Sequence, residues 1–161
     1  MFNWFRKKEE KNDIRNFFIN QLQTLKKNNL ELKSLYEKSK SYSINKNIKE
    51  ICKTSDKILE VCINDNSRIS KLNLFINYYQ VEIIKIVSQY VSIKNNKIES
   101  NETKDFISKV DEFIGDVAGA FNNILEELII DNNKNIDVDI KIMLKSLEDK
   151  KLLGEKHDWK S

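Results

Sequence analysis

Cys62 and Arg68 are separated by five residues, the Cys-x5-Arg spacing of a cysteine phosphatase loop. In such a loop a thiolate attacks phosphorus while backbone amides and the guanidinium hold the phosphate oxygens. The intervening Ile63-Asn64-Asp65-Asn66-Ser67 contains no glycine and carries a carboxylate, which a phosphate cradle would repel. It also follows a helical pattern, where that cradle follows a strand. The spacing therefore reads as coincidence, and Cys52 has Ile58 where the arginine would stand.

Other chemistry fares no better. Asp131-x-Asn133-x-Asn135-x-Asp137-x-Asp139 places oxygen donors like a calcium loop, but Ile136 replaces the turn glycine and Ile142 the bidentate glutamate. It reads as a connection followed by an acidic helix start. His157 is the single histidine and no Cys-x-x-Cys occurs, so no zinc set can be assembled. Without a Glu-x-x-His pair, a di-iron bundle is excluded. Carboxylates gather at Asp105, Asp111, Glu112, Asp116, Glu126 and Glu127. Glu112 and Asp116 share a helix face, as acid–base work requires, yet a solvated acidic face accounts for the set. No nucleophile elbow and no glycine-rich phosphate loop is present. No catalytic residue, metal ligand or cofactor is assigned.

Two segments point to binding instead. Gly115 and Gly119 lie four apart on one face, where small residues admit a neighbouring backbone, a bend or a ligand. Phe2, Trp4 and Phe5 stand beside Arg6, Lys7, Lys8 and Lys11. Aromatics favour the headgroup region, and each nearby basic residue adds about 1 kcal/mol on anionic lipid. The segment suits either a membrane contact or a bundle end. Its basic residues follow the apolar ones, the reverse of a secretory signal.

Positioning these residues falls to helices. The 161 residues contain 3 Gly and no Pro, which removes most tight-turn chemistry of a β fold. Ile, Lys and Asn number 22, 25 and 20, types with AT-rich codons, which suggests a bacterial source of that base composition. Lys outnumbers Arg 25 to 3 and the net charge of +3 is well mixed, which argues against nucleic acid. No apolar run is long enough to span a bilayer. Cys52 and Cys62 stand about 15 Å apart on one helix, too far to bridge.

Apolar spacing of three and four predicts a first helix from about Glu10 to Lys38, with Asn29 interrupting its stripe. A second follows from Ile44 to Ile63 behind a Ser43 cap, with Ser55 on its inner line. The third covers Arg68 to Lys94, with Asn66 or Ser67 as its cap; alternation is too poor for a hairpin at Val81 to Val91. The fourth starts within Ser100–Thr103, with Ser100, Asn101 or Thr103 capping, and runs to Ile130. Asp137 is expected to cap a short fifth helix from Val138 to Lys150, and Gly154 to terminate it. The expected fold is all-α, an antiparallel bundle of about five helices, the last one short. Residues 1–9 form an aromatic and basic segment, 10–154 one helical-bundle domain, and 155–161 a frayed tail.

Leu72-Asn73-Leu74-Phe75-Ile76-Asn77-Tyr78-Tyr79 resembles the Phe-x-x-Tyr-Tyr segment of the XpaC family, labelled 5-bromo-4-chloroindolyl phosphate hydrolysis protein. Gln89-Tyr90-Val91, Gly119-Ala120-Phe121, Val138–Leu144 and Leu152-Leu153-Gly154 are similar to later parts of it, over roughly Ser67 to Gly154. Gln80-Val81 replaces the usual Leu-Pro, and only Met1 to Phe5 could stand for an N-terminal hydrophobic segment. The resemblance implies a bacterial helical protein linked with toxic-anion (tellurite) resistance, and its label implies phosphoester hydrolysis.

The expected role is a non-enzymatic scaffold or interaction protein linked to envelope or toxic-anion stress. It would be cytoplasmic or peripheral at the inner membrane face. Its partner would be a toxic-anion-resistance protein or a second copy. Tyr78, Tyr79, Tyr90, Gly115 and Gly119 are the candidate interaction surface. Phe2, Trp4, Phe5, Arg6, Lys7 and Lys8 are the candidate membrane contact. The alternatives are phosphoester hydrolysis, or regulation of a phosphatase, and a phage or mobile-element adaptor.

Overall fold

The computed structural model describes residues 2–39, 46–130 and 136–152, and every element among them is helical. The long helices are α1 (Phe2–Lys38), α2 (Asn47–Asn64), α3 (Gln80–Asn95), α4 (Asn101–Ile130) and α5 (Ile136–Asp149). A 3₁₀ segment (Asn66–Leu72) and a π turn (Phe75–Tyr79) lead into α3. The all-α expectation is met. The third helix is a composite rod in which the winding changes twice, rather than one regular helix from Arg68.

Consecutive elements run antiparallel, as side-chain pairs show. Asn29 meets Ser55 across α1 and α2, while Tyr90 meets Asp111 and Arg68 meets Leu128 across the rod and α4. Alternate elements run parallel. Gln21 pairs with Asn73 and Asn28 with Gln80, and Thr54 pairs with Asn122. Short connections force this arrangement, and the apolar stripes then close on one core. Leu25, Leu32, Ile51, Ile58, Phe75, Ile83 and Phe121 are each about fully buried in it. α5 packs against the 3₁₀ segment and the π turn, with Ile140, Leu144 and Leu147 buried, and faces α4 across an open groove.

Helix ends differ in detail from the spacing-based expectations. α1 begins at Phe2 rather than Glu10, so the aromatic and basic segment is continuous with the first helix. Ser100 Oγ accepts from the Thr103 amide at 3.1 Å, which identifies the cap of α4. Asp65, not Asn66 or Ser67, caps the 3₁₀ segment by accepting from the Ser67 amide. Asp137 lies inside α5 rather than at its cap, because Ile136 is already helical.

Two helices end on lysine. Lys97 and Lys151 take φ of 51° and 57°, and the following amides reach back to Ile93 and Leu147. These are Schellman endings with a lysine where glycine is usual. Lys151 thus terminates α5 ahead of Gly154. The expected roles of Ser43, Ile44, Gly154 and His157, and three donors of the calcium-like run (Asp131, Asn133, Asn135), lie outside the described residues.

Candidate interaction site

A buried polar knot fixes the register of three helices. Asn28 and Asn29 come from α1, Ser55 from α2, and Gln80 from the start of α3. Asn28 Nδ2 donates to Gln80 Oε1 and to the Ile76 carbonyl, both at 2.9 Å. Gln80 Nε2 donates to Asn29 Oδ1 at 3.1 Å and to Ser55 Oγ at 2.8 Å. Asn29 Nδ2 reaches the Ser55 carbonyl at 2.9 Å. All four residues are buried, so each amide needs these partners.

The π turn makes the knot possible. Its wider winding is closed by the Gln80 amide donating to the Phe75 carbonyl, five residues back. This turn contains the whole Phe-x-x-Tyr-Tyr segment. It aims Phe75 and Tyr79 at Phe121 of α4, with ring centroids 5.0 and 5.9 Å away.

The tyrosines proposed as an interaction surface are therefore mostly interior. Tyr79 is 2% exposed and Tyr90 fully buried, while Tyr78 is half-buried. Burial raises the Tyr79 hydroxyl pKa well above its ordinary value, with Asp116 adding to the effect. Tyr90 donates its hydroxyl proton to Asp111 Oδ1. Tyr79 and Tyr90 present no surface, because the apolar stripe of the rod continues through both positions.

The glycine pair sits differently. Gly115 and Gly119 are exposed and line an open groove of about 800 Å³ between α4 and α5. Ala120, Asn123, Ile124, Ile130, Ile142 and Met143 add its walls, and Asp116, Glu126, Glu127 and Asp139 its charge. Neither glycine is demanded by packing among the described residues. A Cβ at Gly119 would meet nothing within 4 Å, and one at Gly115 would make an ordinary contact with Asn47 at 3.6 Å. Each still costs the helix about 1 kcal/mol relative to alanine. Lys150 closes one end, its Nζ 3.3 Å from Asp116 Oδ2. Beside the groove, burial raises the Asp137 carboxyl pKa, against the opposing effects of the Leu74 amide and Lys141.

The first half of α1 forms a second surface. Residues 3–17 are exposed throughout, and the helix joins the bundle only from Phe18 onward. Trp4 is 61% exposed and Phe5 55%, their rings edge-on at 5.0 Å, and Lys8 lies over the Trp4 ring. Arg6, Lys7 and Lys8 are exposed on the same arm; the Phe2 side chain is not among those described. Among the described residues no helix is long and apolar enough to cross a membrane.

The nucleophile and metal motifs dissolve on inspection. Cys62 is fully buried, and burial pushes its thiol up to about 11, with Arg68 opposing and Asp65 assisting. Arg68 instead binds Asp65 at 3.3 Å and donates to the Leu128 carbonyl, capping the last turn of α4. The Ser67 hydroxyl and the Arg68 guanidinium hold the Asp65 carboxyl pKa below its usual value. Burial, with Asp56 and Glu37, likewise lifts Cys52 to about 11. At pH 8 each thiol would be about 0.1% thiolate. Ellman's reagent is expected to label neither cysteine over minutes in the folded protein and both after denaturation. Rapid labelling of Cys62 in the folded state would contradict this burial. No group of three or more His, Cys, Asp or Glu among the described residues is placed to hold a metal ion.

Sequence reasoning marked Asn29 as an interruption and placed Ser55 on the inner line, but it did not unite them with Asn28 and Gln80. The signal was available: Gln80 is the polar residue standing where the resembled family carries leucine.

No curated protein and no solved structure matches the chain. A family model matches residues 5–143, beginning well before the Phe-x-x-Tyr-Tyr segment and taking in four of the five long helices whole or nearly so. The shared features are thus those of the bundle itself, and the chain belongs to the 5-bromo-4-chloroindolyl phosphate hydrolysis protein family.

Proposed function

We propose that the chain is a non-enzymatic interaction module of this family, acting in the cytoplasm of a bacterium in a response to envelope or toxic-anion stress. Its working parts are its surfaces. One observation carries this reading: fifteen or so residues of α1 extend beyond the bundle with Trp4 and Phe5 more than half exposed. Solvated aromatics on an ordered element are costly unless a partner covers them. The α4–α5 groove supplies a second such surface. Several of the polar groups serve the fold. Gln80, Asn28, Asn29 and Ser55 lock helices, and Arg68 caps one.

Hydrolysis, the activity in the family description, remains the competing reading, and Asp116 in the groove is the residue it would need. Tellurite tolerance separates the stress link from its absence. A strain lacking the protein is expected to be more tellurite-sensitive, and wild type to restore tolerance. A Trp4→Ala/Lys7→Glu/Lys11→Glu variant should not, while Glu112→Ala, exposed on α4 outside the groove, should. Unchanged tolerance in the deletion strain removes the stress link; full rescue by the arm variant removes the surface reading.

A further inference from the structure

The buried stripe of α1 does not stop where the bundle stops. Leu32, Leu25 and Phe18 continue at helical spacing through Ile14, Lys11, Lys7 and Trp4, all within one face about 80° wide. Leu25 and Leu32 on this face are fully buried, whereas Ile14 is 54% and Trp4 61% exposed. The apolar line thus runs on past the bundle to Ile14 and Trp4, with Lys11 and Lys7 between them, and among the described residues this half has no covering element. Its pattern is also specific: apolar at both ends, with two lysines between.

The α4–α5 groove carries the opposite charge. It offers apolar walls from Ile124, Ile142 and Met143, with Asp116, which Lys150 also meets, and Glu126 exposed about 15 Å apart along it. At Gly119 it leaves room that none of the described residues fills. From Gly115 to Ile130 the groove runs about 22 Å along α4, and residues 2–17 of α1 span about 22 Å. Small residues in a groove floor let another helix approach closely.

We propose that two copies of the chain pair by exchanging arms, the first half of each α1 lying in the α4–α5 groove of the other. This rests on the interaction-module reading and names its partner. The exchange is reciprocal, so it closes on a dimer and leaves no free groove to propagate a filament. An anionic lipid surface fits less well, because Lys7 and Lys11 occupy the centre of the face, where an interfacial helix carries its apolar residues.

Sedimentation equilibrium of the full chain tests this, with two charge-reversed variants at exposed positions whose helicity is checked first. Lys7→Glu/Lys11→Glu reverses the arm, and Asp116→Lys/Glu126→Lys reverses the groove. Wild type is expected to be a dimer that weakens with salt. Each variant alone should dissociate at least about tenfold more readily. An equimolar mixture should recover the dimer, because each reversed arm then meets a reversed groove. Gly119→Leu, which fills the groove, should also weaken the dimer. A monomeric wild type, or a dimer indifferent to both reversals, overturns the exchange. So does an arm-dependent binding of the monomer to phosphatidylglycerol vesicles, which would assign the arm to lipid. A monomeric wild type would leave the tellurite result standing, so failure of the exchange and failure of the module reading remain separable.

Discussion

Gln80→Ala is expected to lower the unfolding free energy by about 3 kcal/mol and Tm by about 6–12 °C. Gln80 is fully buried and joins three helices through Asn28, Asn29 and Ser55. Truncation removes both the donor and the acceptor of its amide. It leaves Ser55 Oγ without its Gln80 donor, Asn28 with only the Ile76 carbonyl, and a cavity where the side chain stood. Buried groups that lose partners each cost about 1–3 kcal/mol, and the cavity adds to that. Gln89→Ala, on the exposed face of the same helix, should change stability by less than about 0.5 kcal/mol. Urea unfolding monitored by circular dichroism measures both. A loss below about 1 kcal/mol at Gln80 would mean that the knot does not fix the helices.

Phe121→Ala should cost more, about 4 kcal/mol. The ring is fully buried and stands edge-on to Phe75 at 5.0 Å, with Tyr79 at 5.9 Å. Removing it opens a large apolar cavity and ends two aromatic contacts of about 0.5–1.5 kcal/mol each. It also unseats the π turn, since Phe75 and Tyr79 are the first and last residues of that turn. Phe121→Leu keeps most of the volume and should cost about 1–1.5 kcal/mol. Near-UV circular dichroism reports the aromatic packing, and urea unfolding the energy. Equal losses for the alanine and leucine variants would place the ring outside the packed core.

Much of this fold is legible in the amino-acid order. Apolar spacing of three and four runs through Leu25, Ile51, Ile83, Phe113 and Ile140, and all five are buried. Asn29 declares itself as a break in such a stripe, and the cap of α4 is narrowed to Ser100, Asn101 or Thr103, of which the structure uses Ser100. The π turn is not legible, because its underwinding partly offsets the overwinding of the 3₁₀ segment before it, so the apolar positions keep a regular spacing. The knot is partly legible: Asn29 and Ser55 stand on inner lines and Gln80 replaces a leucine of the resembled family, but their union with Asn28 shows only when three helices are superposed. Tyr79 and Tyr90 carry polar tips that suggest a surface, yet their rings follow the buried stripe.

The groove is only half legible. Gly115 and Gly119 mark the place where a backbone could approach, but a single sequence does not say whether the chain itself fills it. Among the described residues the space at Gly119 is open. Likewise the seam of α1 continues through Ile14 to Trp4 in the sequence, but only the position of the other helices shows where its cover ends. Asp116 and Glu126 look like a solvated acidic face because that is how helix exteriors normally read.

Turnover of 5-bromo-4-chloroindolyl phosphate by the purified full chain, measured across the fractions of a shallow ion-exchange gradient with and without divalent metal, tests the central claim most directly. The account predicts that any activity will separate from the protein peak and will be unchanged by Asp116→Ala. Activity that follows the protein through the gradient and falls at least tenfold in Asp116→Ala would contradict it, and would make the α4–α5 groove an active site.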